Sequence, residues 1–153
     1  NLDISKAIES MVLIRGGRFP MSSITKAHLE DSQRLMERLV KKLLTDSSSI
    51  VEIHPRLRGY GFLSSCHPDI IQGSNLIEIK MSKYGFRGSD IKQLLAYATL
   101  AHFNEREINE VSLLNPRLGI LWKFTLKEFV RIFSNRRPTQ LFEEIGSCLL
   151  GVL

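Results

Sequence analysis

Residues 68–80 read Pro-Asp-Ile-Ile-Gln-Gly-Ser-Asn-Leu-Ile-Glu-Ile-Lys, and the fold is decided there. Ile70 and Ile71 run into the polar tetrapeptide Gln72-Gly73-Ser74-Asn75, after which Leu76 to Met81 resumes as a short apolar run with charges inside it. Two β-prone runs joined by a polar, Gly-containing turn predict a hairpin that closes near Gly73 and Ser74. Side chains alternate along a strand, so Leu76, Glu78 and Lys80 share one face while Ile77, Ile79 and Met81 share the other. Asp69, on the partner strand, falls near the register that sets it beside Glu78 and Lys80. Two carboxylates and an ammonium then converge.

That set suits phosphodiester hydrolysis with Mg2+, a hard cation held by a few carboxylate oxygens while it keeps waters and takes phosphate oxygens of the substrate. Asp69 and Glu78 are the candidate metal ligands, and Lys80 is placed to orient a water or to offset developing charge. Taken alone, a Glu-x-Lys in a strand describes an ordinary edge hairpin with both charges in solvent. Its neighbours give it more content.

Downstream, Ser82-Lys83-Tyr84-Gly85-Phe86-Arg87-Gly88 forms a basic loop with two glycines, and Ser89 is a candidate cap for a helix from Asp90 to about Phe103. Gln93 and Tyr97, four apart, share one face of that helix, while Ile91, Leu94, Leu95, Ala98 and His102 form a separate packing stripe. Lys83 and Arg87 add positive charge beside the helix N-terminus, where backbone N–H groups also bind phosphate. Upstream, Ile50 to His54 alternates as a strand, Pro55 ends it, and Phe62 to Cys66 runs extended toward Asp69, so three consecutive strands forming an antiparallel meander are expected before the helix. His67 shares the Asp69 face if that strand is regular, although His prefers softer metals than Mg2+.

Pro68-Asp69, eight residues, Glu78-Ile79-Lys80 and then Gln93-x-x-x-Tyr97 on a helix together resemble the PD-(D/E)xK nuclease superfamily, and the Gln-x-x-x-Tyr element is similar to that of its RecB-type branch. The resemblance spans about residues 50–124. It implies a restriction-endonuclease-like α/β core, a central mixed sheet of about five strands flanked by helices. It also implies Asp69, Glu78 and Lys80 as catalytic positions, Asp69 and Glu78 as ligands of Mg2+ or Mn2+, and Gln93 and Tyr97 as DNA contacts. Many members supply a further acid from an upstream helix. Glu30, Asp31 and Glu37 are the candidates here, and Glu37 is preferred as a third metal ligand because it adjoins Met36 and Val40 at the edge of an apolar face.

The chain has 153 residues, 43% hydrophobic and 24% charged, with a formal net charge of +5 at pH 7. One domain is expected over 1–153, with a core at about 24–124, a helical cover at 1–20 and C-terminal helices at 125–153. That composition disfavours disorder, collagen and coiled coil, and the positive charge favours a polyanionic partner. Cys66 and Cys148 lack metal-ligand spacing and read as buried free thiols. No leader and no apolar run long enough to span a bilayer is seen, so a cytoplasmic location without membrane attachment is expected. The chain begins at Asn1, as a trimmed chain or one piece of a longer protein would.

A first helix is predicted from Asp3, with Ile4, Ala7, Ile8, Met11 and Val12 at helical spacing, and a longer one over about Ile24 to Leu44 behind a Ser22 or Ser23 cap. Thr45 to Ser49 reads as a loop. Ile108 to Leu114 and Leu118 to Leu126 read as strands around the turn Asn115-Pro116-Arg117. Thr125 or the residues after it start a short helix, Leu126 to Phe133, Ser134 to Pro138 breaks the pattern, and Thr139 caps a last helix. Trp122, Phe124, Phe129 and Phe142 are assigned to the core. The apolar tail Cys148 to Leu153 packs on the domain or marks a partner surface.

The reading that follows is a metal-dependent nuclease acting on DNA, within a larger defence, restriction or repair system, with protein partner subunits or a second copy of itself. The alternative is a nucleic-acid-binding or scaffold domain of the same fold that does not cut. A basic RNA-binding module ranks behind both, because the sequence displays no evident pattern of exposed aromatics for stacking bases.

Overall fold

The computed structural model describes residues 25–43 and 49–152, with the side chains at 39, 40, 42 and 43 excepted. The expected N-terminal helix, the Ser22 or Ser23 cap and most of the loop at 45–49 lie outside the described residues. Helix α1 (Lys26–Leu43) belongs to a compact unit of its own, Asn1–Leu43, and every other element to a second, Leu44–Leu153. Among the described side chains of α1 the charged ones are exposed as an amphipathic helix requires, but so is Met36.

The second unit is an α/β fold with strands β1 (Val51–Ile53), β2 (Ile70–Gln72), β3 (Asn75–Ile79), β4 (Glu110–Asn115) and β5 (Ile120–Thr125). Its helices are α2 (Gly88–Phe103), α3 (Leu126–Arg131) and α4 (Pro138–Leu149). The strands form one mixed sheet in sequence order, antiparallel except for the parallel pair of β3 and β4. A parallel neighbour needs a crossover rather than a tight turn, and α2 supplies it. The predicted hairpin is β2–β3, closed by Gly73 and Ser74, with Gly73 at the positive φ of +56° that a two-residue turn opening on glycine uses.

The antiparallel meander of β1, β2 and β3 is as expected, but its composition differs. Phe62 to Cys66 is not a strand. It contributes only isolated bridges, Leu57 to Cys66 and Tyr60 to Leu63, because Gly59 and Gly61 fold residues 57–66 back on themselves. A Cβ at Gly59 would strike the backbone of Leu63 and Ser65, so an ordinary extended ladder does not fit here.

One face of the sheet carries Ile71, Leu76, Val111 and Leu113 into a core completed by Leu94, Ala98 and Ala101 of α2, Phe129 and Val130 of α3, and Phe142 of α4. The opposite face buries Ile70, Ile77 and Leu114. Both faces of β3 and β4 are therefore withdrawn from water, so that β4 buries Ser112 and Asn115 along with Val111, Leu113 and Leu114.

Helix boundaries show where local reading misleads. Thr125 caps α3, its Oγ1 accepting from the Glu128 N–H at 3.2 Å. Neither Ser89 nor Thr139 is a cap. Helix α2 begins two residues earlier behind Arg87, whose N–H donates to Asp90 Oδ2 at 2.8 Å, and α4 begins at Pro138 behind Arg137. Pro138 starts that helix rather than breaking the pattern, since its fixed φ and missing N–H cost nothing in a first turn. Of the aromatics assigned to the core, Phe129 and Phe142 are buried and Phe124 packs against the cluster, but Trp122 on the edge strand β5 remains 41% exposed. No helix among the described residues is long and apolar enough to cross a membrane.

Candidate active site

The C-terminal end of β3 meets the first turns of α2, and five of the residues singled out in the sequence come together there. Glu78 and Lys80 point to the same side of the strand, as a period of two demands, and α2 lies over that side. Lys80 Nζ donates to Glu78 Oε1 at 2.8 Å and to Gln93 Oε1 at 2.7 Å. Gln93 Nε2 donates to Glu78 Oε1 at 3.0 Å and to Tyr97 Oη at 2.6 Å, the last an i,i+4 contact along α2. The amide of Gln93 thus bridges the strand charges to the helix.

Asp69 stands just before β2, where the hairpin register carries it to the end of β3, and its Oδ2 accepts from the Ile79 N–H at 2.7 Å. Its own carbonyl accepts from the N–H of His54 at 2.9 Å, with His54 held at a φ of +51°. The short strand β1 therefore locks the backbone of Asp69 from the other side. Left-handed backbone is uncommon for a residue with a side chain, so this anchor is locally strained.

Glu78 is 5% exposed. Its Oε1 carries both donors, while Oε2 is buried with no hydrogen-bond partner. Burial pushes the Glu78 carboxyl above its usual value, the hydrogen bond from Lys80 pulls it back, and the charge of Asp69 pushes it up again. The upward influence of Asp69 places the two carboxylates within electrostatic reach of each other. Tyr97 is raised as well, first by burial and then by Glu78, Cys66 and Asp69, with its bond to Gln93 opposing. Burial and the neighbouring Glu78 lift the Cys66 thiol to about 11, so it stays protonated at neutral pH and is no nucleophile.

An orphaned buried carboxylate oxygen is costly unless something binds it, and hard oxygen donors from Asp69 and Glu78 fit a Mg2+ ion that keeps several waters. No cluster of three His, Cys, Asp or Glu side chains suited to a metal occurs among the described residues. His67 is exposed in irregular chain rather than on a regular strand beside Asp69. Glu37 is exposed on α1, its Oε1 accepting from Gln33 Nε2 at 3.1 Å, and belongs to the first unit, whereas the site is built from the second.

Lys83 and Arg87 are exposed on the loop between β3 and α2. Arg136 is paired with Glu144 at 2.5 Å, while Arg137, also exposed, precedes α4. Cys148, expected inside, is exposed, as are Leu150 and Val152 of the tail.

Three contributors went unread in the sequence. Asp90 puts Oδ1 at 3.8 Å from Lys80 Nζ while Oδ2 caps α2, and its place three residues after the cap was the available signal. Cys66 comes within electrostatic reach of Glu78 through the fold-back at 57–66, which has no local signature. Asn115, read as a turn residue, is 1% exposed, and its Nδ2 donates to the carbonyls of Ser82 at 2.8 Å and Tyr84 at 3.2 Å. The chain matches no protein-family model, and neither a curated protein nor a solved structure is significantly similar to it.

Proposed function

We propose that the chain is a Mg2+-dependent nuclease that hydrolyses DNA phosphodiester bonds on a restriction-endonuclease-like core. One observation carries the reading. Asp69, Glu78, Lys80, Gln93 and Tyr97, singled out in the sequence by spacing together with the resemblance, converge on a site whose buried Glu78 Oε2 has no protein partner. Asp69 and Glu78 would hold the ion, with Mn2+ as an alternative occupant. When bound there, such an ion lowers the pKa of water and offsets charge developing on the phosphate.

The remaining roles belong to the chain itself. Lys80, with three donors and a compact charge, is held by Glu78 and Gln93 and presents an ammonium to the non-bridging oxygens of a phosphate entering between β3 and α2. Gln93 keeps that ammonium aimed by accepting from it, and Tyr97 fixes Gln93 from one helical turn below. Lys83 and Arg87, at the N-terminus of α2, neutralise flanking phosphates. The reading extends to a larger defence, restriction or repair assembly, in which the chain acts with partner subunits or as a homodimer.

The test is incubation of the purified protein with linear, circular and single-stranded DNA in Mg2+, Mn2+ or EDTA. Cleavage that needs a divalent ion and disappears in Lys80→Ala is expected. If no form of DNA is cut with either ion, the protein is instead a nucleic-acid-binding or scaffold domain of the same fold.

A further inference from the structure

We infer that Tyr84 is a stacking platform for an unpaired base, so that the DNA engaged at this site is single-stranded beside the scissile phosphate. The choice of DNA rests on the nuclease reading. The platform rests on the geometry of the loop between β3 and α2, where Tyr84 is 58% exposed although the backbone beneath it is firmly held. The Tyr84 N–H donates to Ser82 Oγ at 3.0 Å, and Asn115 commits its buried amide to the carbonyls of Ser82 and Tyr84. Phe86, two residues on, is half-buried edge-to-face on Trp122 at 4.9 Å. One aromatic of the loop is tucked in and the other is displayed.

A ring displayed on a fixed backbone loses little freedom when it binds, which is what a stacking surface needs. Lys83 Nζ lies 5.3 Å and the Arg87 guanidinium carbon 5.9 Å from the Tyr84 ring centroid. Two cations beside one aromatic match the two halves of a nucleotide, a π-face for the base and positive charge for the phosphates on either side. The platform is also close to the chemistry. Arg87 donates its N–H to Asp90 Oδ2, and Asp90 Oδ1 is 3.8 Å from Lys80 Nζ. Inside a duplex each base is already covered above and below, so away from the duplex ends only an unpaired base offers a face to Tyr84. Stacking of this kind reads no sequence, since every base has a π-face.

The experiment measures binding in EDTA, so that it does not depend on cleavage. A labelled single-stranded oligonucleotide and the blunt duplex of the same sequence are titrated by anisotropy with wild type, Tyr84→Ala and Tyr84→Trp. Tyr84→Ala is expected to weaken single-strand binding about 5- to 150-fold, the range for one lost base–aromatic stack, and to leave duplex binding and the single-strand salt slope unchanged. Tyr84→Trp should restore affinity, and an oligonucleotide made abasic at every position should abolish the difference between wild type and Tyr84→Ala. Equal losses on single strand and duplex, no loss in Tyr84→Ala, no rescue by Trp, or no single-strand binding by wild type at low salt would each overturn the inference. Tyr84-dependent binding without cleavage of any DNA would sink the nuclease reading and keep this one. Cleavage of single strands unaffected by Tyr84→Ala would do the reverse.

Discussion

The two halves of α2 do different work. Its last turns, Ala98 to Phe103, are packed for contact: Ala98, Thr99, Leu100 and Ala101 are buried, and the Phe103 ring stacks on Tyr60 at 3.8 Å, 5° from parallel. Its first turns carry Asp90, Gln93 and Tyr97 into a polar network around a buried carboxylate with one oxygen unpartnered. Apolar burial stabilises in proportion to area, whereas a desolvated, half-satisfied carboxylate costs stability. Where a helix keeps such a cost next to a well-packed half, the costly end is where function is to be sought.

The comparison breaks most visibly in activity. Glu78→Gln or Asp69→Asn replaces a charged ion ligand of the polar end by a neutral amide that keeps an acceptor oxygen, so Mg2+-dependent cleavage should fall by several orders of magnitude while the far-ultraviolet spectrum and unfolding midpoint hold or improve. A variant that lost its fold along with its activity would mean that the two ends are not separable.

At the packed end the effect should be on stability alone. Gly146 of α4 lies against Phe103, and an added Cβ would land within the ring, which the stack on Tyr60 prevents from yielding. Overpacking outweighs the helix-propensity gain, so Gly146→Ala should destabilise by about 1–2 kcal/mol in a denaturant titration. Cleavage per folded molecule should match wild type.

The buried carboxylate also leaves a signature in pH. Burial holds Glu78 above its usual 4.5, against the opposing hydrogen bond from Lys80 and with Asp69 adding to the rise. In the window between 4.5 and the folded value, the folded chain binds a proton that the unfolded chain has lost, so stability falls as pH rises through it, and the whole cost is present above it. In EDTA, wild type should therefore gain stability relative to Glu78→Gln on acidification from neutral pH, the difference levelling off below 4.5. A gap moving the other way would show that Lys80 and Gln93 more than compensate the desolvation.

The smallest change is Tyr97→Phe. It removes the hydroxyl that accepts from Gln93 but leaves Gln93 on Glu78 and Lys80. Because that hydroxyl steadies Gln93 and through it the Lys80 ammonium, kcat should fall severalfold with KM for DNA nearly constant, and a rise in KM instead would move Tyr97 from positioning Lys80 to holding the substrate.

The α/β class, the hairpin at 70–79, the helix carrying Gln93 and Tyr97 and the meander before it were legible because each depends on local periodicity. A strand alternates every two residues and a helix returns every 3.6, so shared faces follow from spacing alone. The same rule brought Glu78 beside Lys80 and Gln93 beside Tyr97. It failed where the chain folds back without a repeat, at Phe62 to Cys66, and where exposure depends on position in the sheet. Trp122 and Phe124 lie on one face of β5, yet only Phe124 packs against the core cluster, because Trp122 sits farther toward the open end of an edge strand.

What residue order determined by itself was therefore which side chains share a face, since that is fixed by backbone geometry within a few residues. Only the tertiary structure decided which of those faces meet. It set α2 over the end of β3, so that Gln93 reaches Glu78 across 15 positions and Asp69 reaches Ile79 across 10. It buried one oxygen of Glu78 without a partner, and it pinned the loop of Tyr84 with an asparagine more than 30 positions away. Burial and desolvation arise from what packs above a residue, and nothing in the few residues beside it encodes that.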